Sequence, residues 1–256
     1  MSENRKPTLL IKGSLVPRNE TEAKLFADMI PMDYLMTTVA KNMAERRREY
    51  KVILLMSPTG SGKSTAFPVA LYEKYILPRT IRGSIICTQP RIITTIANTF
   101  ELRNSTKKTK HMFKIGDNLG YRTKLNKLLT RHFGITYATL GTLAVELTIL
   151  SDSELCDRYA FILIDEVHDR SISVDLTLYL LKKFIDRNHA RPNCPVVVLM
   201  SATIDPTEYI KYFNIVDRNV MELSGRAYTI ATKWNLVGRG HSDNIYDTLY
   251  MALTKI

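Results

Sequence analysis

Five short apolar runs punctuate the chain, and none alternates apolar with polar positions as a half-exposed strand does. Apolar runs of this length predict strands that are buried on both faces, as in parallel sheets covered by helices. The runs occupy residues 52–56, 84–88, 135–139, 159–164 and 196–200.

Between these runs lie stretches whose apolar residues recur with helical spacing, and this alternation predicts an α/β fold with a doubly wound, mainly parallel sheet. The stretch 173–187 carries apolar residues on most of its faces, so we expect a well-buried helix there. Further along, the pattern predicts strands at 220–223 and 228–234 and a helix at 243–255.

Each of the five runs ends in a polar signature: SPTGSGKST, TQPR, TLGT, DEVH and SAT. Parallel strands deliver their carboxyl ends to one edge of a sheet, and ligands bind at that edge. We therefore expect these five signatures to form one site.

The first signature follows a strand and opens a helix, the order that forms a phosphate cradle. Gly60 and Gly62 let the backbone approach an anion, Lys63 brings positive charge to the β- and γ-phosphates, and the Ser64 hydroxyl can ligate Mg²⁺. The pattern is G-x-x-x-x-G-K-[ST] with Ser at its first position. We predict binding of ATP, with other nucleoside triphosphates left open. The binding residues are Ser57, Pro58, Thr59, Gly60, Ser61, Gly62, Lys63, Ser64 and Thr65.

The acidic signature supplies the remaining groups that hydrolysis of a triphosphate needs. Asp165 can anchor the same Mg²⁺ through water, and Glu166 can act as general base on the attacking water. Judged alone, the segment could also be an acidic loop after a core strand. In the same way, Ser201 and Thr203 could cap the next helix, and His168 could be structural.

The net charge of +11 favours a polyanionic partner. Residues 103–132 hold nine Lys or Arg and one acid, although such a run can also be a solvated face. The three cysteines, Cys87, Cys156 and Cys194, lack metal-ligand spacing, which predicts buried thiols without a disulfide partner in a reducing compartment. We also expect no membrane span, and hence a cytoplasmic or nuclear protein.

Taken in order, S-P-T-G-S-G-K-S-T, T-Q-P-R, D-E-V-H and S-A-T-I resemble the first RecA-like domain of a superfamily 2 helicase of the DEAH/DExH-box branch. Residues 120–122 (GYR) and 139–143 (TLGTL) resemble two further family segments, with Leu140 in place of the usual Asp. The DEVH form, together with the N-terminal arm, is similar to helicases of large cytoplasmic DNA viruses. The resemblance covers the chain from about residue 30 onward.

The resemblance implies an ATP-dependent helicase that moves along single-stranded RNA or DNA, in the host cytoplasm or the virion if it is viral. It implies that four residues are catalytic: Lys63, Asp165, Glu166 and His168. It implies that three residues couple nucleotide state to nucleic acid: Ser201, Ala202 and Thr203. It implies nucleic-acid contacts from Thr88, Gln89, Pro90, Arg91, Thr139 and Gly141.

We expect three regions: an N-terminal arm (1–30), a RecA-like ATP-binding domain (31–225), and the start of a second RecA-like domain or a linker (226–256). The sequence contains no arginine-finger motif, so we expect very slow hydrolysis unless a second RecA-like domain joins in cis or in trans. Two alternatives remain open. One is a P-loop ATPase that is not coupled to nucleic acid, and the other is a non-catalytic nucleic-acid-binding module.

Overall fold

The computed structural model describes residues 8–11, 31–45, 47–57, 62–105, 113–202 and 205–224. The predicted elements at 228–234 and 243–255 lie outside these residues. The described residues form a nine-stranded sheet with helices packed on both faces.

The strands are β1 (Thr8–Ile11), β2 (Val52–Met56), β3 (Ser84–Gln89), β4 (Leu119–Arg122), β5 (Lys127–Leu128), β6 (Ile135–Thr139), β7 (Tyr159–Ile164), β8 (Val196–Ser201) and β9 (Val220–Ser224). The helices are α1 (Pro31–Ala44), α2 (Ala66–Leu71), α3 (Ile92–Ser105), α4 (Leu140–Ile149), α5 (Asp152–Arg158), α6 (Ile172–Asn188) and α7 (Thr207–Phe213). A π-helical stretch, Tyr72–Ile76, continues α2, and 3₁₀ turns occupy Arg48–Tyr50 and Asp217–Asn219.

The strand order across the sheet is β1-β9-β2-β8-β7-β3-β6-β4-β5. The seven strands from β9 to β4 run parallel, and β1 and β5 are antiparallel additions at the two edges. The five apolar runs of the sequence are the five adjacent central strands, β2, β8, β7, β3 and β6. The predicted α/β fold with a mainly parallel sheet is confirmed.

Successive residues of the central strands enter opposite cores, which explains why these strands are apolar throughout. In β2, for example, Val52 and Leu54 pack in the core beneath α4 to α7, whereas Ile53 and Leu55 pack in the core beneath α1 to α3. All four side chains are fully buried. A polar side chain at any of these positions would face one of the two cores unpartnered.

Three features depart from the sequence expectations. Helix α6 is not buried on most of its faces, because Ile172, Leu176 and Tyr179 form an exposed stripe along it. Strand β4 lies within the basic stretch that we interpreted as a charge run. Within the predicted N-terminal arm, β1 pairs with β9 and so belongs to the sheet.

The three cysteines are buried and free. No helix within the described residues has the length and apolar character needed to cross a membrane.

Candidate active site

The carboxyl ends of the central strands meet at one edge of the sheet, which we call the rim. Backbone hydrogen bonds fix the segments that leave these strands: the Ser57 N–H donates to the Ser201 carbonyl at 2.8 Å, and the Asp165 N–H donates to the Thr88 carbonyl at 3.2 Å. The Val167 N–H donates to the Met200 carbonyl at 3.1 Å and joins these two pairs, so backbone hydrogen bonds connect the signatures that follow β2, β3, β7 and β8.

The end of the phosphate loop is shaped by Gly62, whose φ is +87°. A Cβ at this position would lie 2.9 Å from the Ala66 Cβ, so only glycine fits without displacement. The next residue, Lys63, is buried, and its Nζ lies 3.2 Å from the Glu166 Oε1. Ser57 is also buried, at the start of the loop, whereas the predicted residues 58–61 lie outside the described part of the chain.

Asp165 is 1% exposed and accepts two side-chain hydrogen bonds. One comes from the Ser64 hydroxyl, and the other comes from the Gln89 Nε2 at 2.8 Å. Burial raises the pKa of the Asp165 carboxyl, and the hydrogen bonds from Ser64 and Gln89 oppose that rise. The carboxylate is thus oriented by groups from two other signatures.

Glu166 adopts a left-handed backbone conformation with φ of +55°, which is unusual for a residue with a side chain. Strain of this kind is found at functional sites that the surrounding structure holds in place. The Glu166 Oε2 lies 3.3 Å from the His168 Nδ1, which in turn lies 3.0 Å from the Ser201 Oγ. A continuous path of polar contacts therefore runs from Lys63 through Glu166 and His168 to Ser201. Ala202 is half-buried next to this path, and Thr203 lies outside the described residues.

The residues present fit a magnesium-bound triphosphate. The Ser64 hydroxyl and the Asp165 carboxylate are hard oxygen donors of the kind that Mg²⁺ binds, and they are already in contact. The Lys63 ammonium suits phosphate oxygens, and the backbone at Gly62 leaves no room for a side chain where the phosphate loop ends.

The predicted nucleic-acid residues at the end of β3 and just after it differ in their surroundings. The Thr88 side chain is buried, with its hydroxyl 3.3 Å from the Leu163 carbonyl oxygen, and the Gln89 amide is directed to Asp165. Pro90 is half-buried, and Arg91 is exposed. A nucleic-acid role for this segment stays a prediction. Of its four residues, Arg91 is the one whose side chain is exposed to solvent and could contact a ligand.

The second predicted nucleic-acid segment begins α4. The Thr139 Oγ1 lies 2.9 Å from the Thr142 Oγ1, and Gly141 is exposed, with no atom within 4 Å of where a Cβ would lie. Leu140, which replaces the Asp usual in the resembling family, is 2% exposed within the core. The role of Thr139 and Gly141 also stays a prediction.

Sequence reasoning missed one residue that positions the site. Tyr137, in the middle of β6, donates its hydroxyl to the Ser64 carbonyl oxygen at 2.7 Å. Burial raises the pKa of Tyr137 well above its usual range, so the hydroxyl stays protonated and remains a donor. A tyrosine inside an otherwise buried strand was the available signal, because buried tyrosine hydroxyls usually have a partner.

The sequence is similar to one protein family and to several known proteins. The sequence profile described as DEAD/DEAH box helicase matches residues 37–211. Protein B962L of African swine fever virus, named as an RNA helicase, is 32% identical over 94% of this chain and 28% of its own length. The ATP-dependent RNA helicase HrpA of Escherichia coli is 30% identical over 82% of this chain and 15% of its own length.

Protein L540 of Acanthamoeba polyphaga mimivirus, named as an ATP-dependent RNA helicase, is 32% identical over 77% of this chain and 27% of its own length. This chain thus spans between 15% and 28% of the length of these three relatives. Two of the three are viral, in keeping with the resemblance to viral helicases. The family profile covers more than half of the 256 residues, and the chain belongs to the DEAD/DEAH box helicase family.

Proposed function

We propose that this chain is the ATP-binding half of a helicase that couples ATP hydrolysis to movement along single-stranded nucleic acid. The observation that carries the proposal is the double contact between the phosphate loop and the DEVH segment. Ser64 contacts Asp165 across a sequence separation of 101 residues, and Lys63 contacts Glu166 beside it. Together they supply phosphate binding, metal binding and a general base within one site.

Each residue has a distinct role in this proposal. Lys63 would bind the phosphate oxygens, while Ser64 and Asp165 would hold Mg²⁺, which neutralises charge on the phosphates when bound. Glu166 would accept the proton of the attacking water. The contacts of His168 with Glu166 and Ser201 would pass a change at the phosphates toward β8.

The nucleic-acid part of the proposal is supported by the net charge of +11, the exposed Arg91 and the names of the relatives, all three of which include the words RNA helicase. We propose single-stranded RNA as the first substrate to test and single-stranded DNA as the second. Contacts to the backbone suit a motor, because phosphates are present at every step of any sequence.

We also propose that full activity requires a second RecA-like domain, supplied in cis or in trans. The matched part of this chain covers only 15–28% of the length of these relatives, which leaves room for such a domain. An arginine finger from a partner domain is worth about 10³–10⁵ in rate in P-loop enzymes. Cytoplasm is the proposed setting, because three free buried thiols suit a reducing compartment.

The test is to measure ATP binding and hydrolysis by this chain with and without single-stranded RNA and DNA. Wild type is expected to bind Mg²⁺–ATP and hydrolyse it slowly, with stimulation by nucleic acid once a longer form of the protein is used. Lys63→Ala is expected to abolish ATP binding. The matched control Lys183→Ala removes an exposed lysine of α6 and should behave as wild type.

Two outcomes would replace the proposal. Hydrolysis by the longer form that is indifferent to RNA and DNA would indicate a P-loop ATPase with another task. A Lys63→Ala variant that retains both nucleic-acid affinity and biological activity would indicate a binding module that does not use ATP.

A further inference from the structure

A cleft of about 860 Å³ lies at the amino ends of the central strands, on the opposite side of the sheet from the rim. We call it the amino-edge cleft, because its walls include Ser84 at the start of β3, Asn118 immediately before β4 and Arg158 immediately before β7. Among the described residues, its lining holds more cations than acids: it includes one carboxylate, that of Asp117, and four arginines, Arg79, Arg82, Arg131 and Arg158.

Three of these arginines have no acidic partner among the residues that the structure describes. Arg79, Arg82 and Arg131 are exposed, and none forms an ion pair within the part of the chain that the structure describes. Arg158 differs, because it is paired with Glu146 at 2.9 Å. The carboxylate of Asp117 is 3.5 Å from the His132 Nε2. The cleft therefore presents three cations that are available to a ligand.

Arg79 occupies a backbone conformation that normally belongs to glycine. Its φ is +57°, and its N–H donates to the Ile76 carbonyl at 3.0 Å to close the turn after the π-helical stretch. A left-handed conformation is unfavourable for a residue with a Cβ. Residues in strained backbone conformations are found mainly at functional sites, which points to a functional role for the Arg79 side chain.

The two loops that carry these arginines are packed tightly against the sheet. A Cβ at Gly83 would lie 2.7 Å from the Ala160 backbone nitrogen, and one at Gly134 would lie 2.0 Å from the Asn118 carbonyl oxygen. Both loops therefore rest directly on neighbouring backbone. A preformed cleft of this kind pays little ordering entropy when it binds a ligand.

The chemistry of the lining selects a class of ligand. Guanidinium groups bind phosphates through paired N–H donors, and an exposed aromatic ring offers a base a stacking surface. Phe133, which also lines the cleft, is 44% exposed. These three arginines come from two separate loops, one before β3 and one before β6. Cations that come from two loops suit a ligand with several phosphates in a row better than a ligand with a single phosphate.

We propose that the amino-edge cleft is a second binding site for single-stranded nucleic acid, with Arg79, Arg82 and Arg131 on the backbone and a base stacked on Phe133. This site lies beyond the proposed function, because it is separated from Arg91 and the rim by the length of the central strands. It would hold a stretch of the strand that is not engaged at the rim.

The test is the affinity of this chain for a fluorescent 20-nucleotide single-stranded RNA, measured by anisotropy from low to high salt. The triple variant R79G/R82A/R131A is expected to bind at least about tenfold more weakly at low salt. Its slope of log K against log salt should be smaller by about 2, because each phosphate contact on a single strand contributes about 0.7. Glycine is chosen at residue 79 because it relieves the left-handed conformation and so preserves folding.

A matched control, K183A/R191A/K211A, removes three exposed cations from α6, α7 and the turn that follows α6. It should lower the slope much less than the cleft variant does. If both triple variants lost the same RNA affinity, the proposal would be overturned, because the loss would then come from the lower net charge and not from the cleft. A triple Arg→Lys variant of the cleft should keep the salt slope of wild type, because three cations remain, and circular dichroism checks that all variants fold.

Further outcomes separate this site from other ligands and from the rim. Loss of affinity for polyglutamate, with RNA affinity unchanged, would indicate an acidic protein partner and overturn the proposal. A Phe133→Ala variant should bind RNA about fivefold more weakly or worse. If Arg91→Ala weakens binding and the cleft variant does not, the proposed function stands and the second site is rejected. The reverse result supports the second site alone.

Discussion

The carboxyl ends and the amino ends of the strands in this sheet hold their charged side chains in opposite ways. At the rim, Lys63 is 5% exposed and faces Glu166, while Asp165 is 1% exposed and accepts hydrogen bonds from Ser64 and Gln89. In the amino-edge cleft, the arginines that line the wall are exposed, and three of them have no ion-pair partner among the described residues.

The difference follows from the cost of removing charge from water. A buried charge without a partner is strongly destabilising, so each rim charge is held in one geometry by its neighbours. An exposed cation costs little and stays screened by salt, so it can bind and release a polyanion. This contrast fits the hydrolysis proposed for the rim and the reversible binding of nucleic acid proposed for the amino-edge cleft.

The largest effect is expected from a substitution of the proposed general base at the rim. Glu166→Gln keeps the shape of the side chain and removes the base, so the slow hydrolysis of ATP should fall by about 10²–10⁴-fold. ATP affinity should stay unchanged or rise, because Lys63 loses the carboxylate that contacts it. Both quantities can be measured with labelled ATP under single-turnover conditions.

The control for this variant is Glu208→Gln, which makes the same change at a residue of α7 that is outside the rim. It should leave hydrolysis as it is in wild type. If Glu166→Gln also left the rate unchanged, Glu166 would not be the base, and the path from Lys63 to Ser201 would need another interpretation.

A third group of charges tests whether burial and pairing also govern stability. Glu146, on α4, is 2% exposed and is bound by Arg122, by Arg158 at 2.9 Å and by the Tyr159 hydroxyl. Glu146→Leu would leave the half-buried Arg122 without the carboxylate that pairs with it, and the free energy of unfolding should fall by about 3–5 kcal/mol. Urea denaturation monitored by circular dichroism measures the loss.

The comparison for Glu146 is again an exposed acid. Glu208 pairs with Arg170 at 3.0 Å, and both side chains are largely exposed, so Glu208→Leu should cost less than about 1 kcal/mol. Equal costs for the two variants would contradict the rule that separates the rim from the amino-edge cleft.

A smaller effect is expected where a neutral side chain positions the phosphate loop. Tyr137→Phe removes the hydroxyl that donates to the Ser64 carbonyl, which should lower the free energy of unfolding by about 1 kcal/mol. ATP affinity should fall several-fold, because Ser64 is less firmly placed. Tyr179→Phe, at an exposed tyrosine of α6, should change neither quantity. A melting curve and an ATP titration of each variant decide the matter.

The central part of the fold could be predicted from the sequence because double-sided burial demands uninterrupted apolar residues. Strands β2, β3, β6, β7 and β8 all meet that demand, and they lie side by side. Strands β1, β4 and β5 were missed, because strands at or near a sheet edge are short and need not be apolar on both faces. The exposed stripe on α6 was missed for a related reason, since apolar residues do not reveal which face has no neighbour.

The site shows the same limit at the level of single side chains. Spacing and order along the chain predicted that Lys63 and Asp165 would share one edge of the sheet, since parallel strands require it. They did not predict that Gln89 would turn inward to Asp165, because this depends on the register between β3 and β7. The amino-edge cleft could not be predicted from the sequence, because Arg79 and Arg131 come from loops that only the completed sheet brings together.

The smallest expected effect concerns the stability contributed by a surface ion pair that lies outside both the rim and the amino-edge cleft. Asp152, in the first turn of α5, accepts hydrogen bonds from Arg187 at 2.9 and 3.0 Å, and these bonds lower the pKa of its carboxyl. A lowered pKa means that the pair stabilises the fold above the ordinary Asp pKa of about 3.9 and that this stability is lost as the pH falls below it. Asp152→Asn should therefore cost about 0.5 kcal/mol at pH 7, a value kept small by solvent screening, and almost nothing near pH 3. Urea unfolding of both proteins at the two pH values measures this, and a cost that grew on acidification would contradict the assigned direction of the pKa shift.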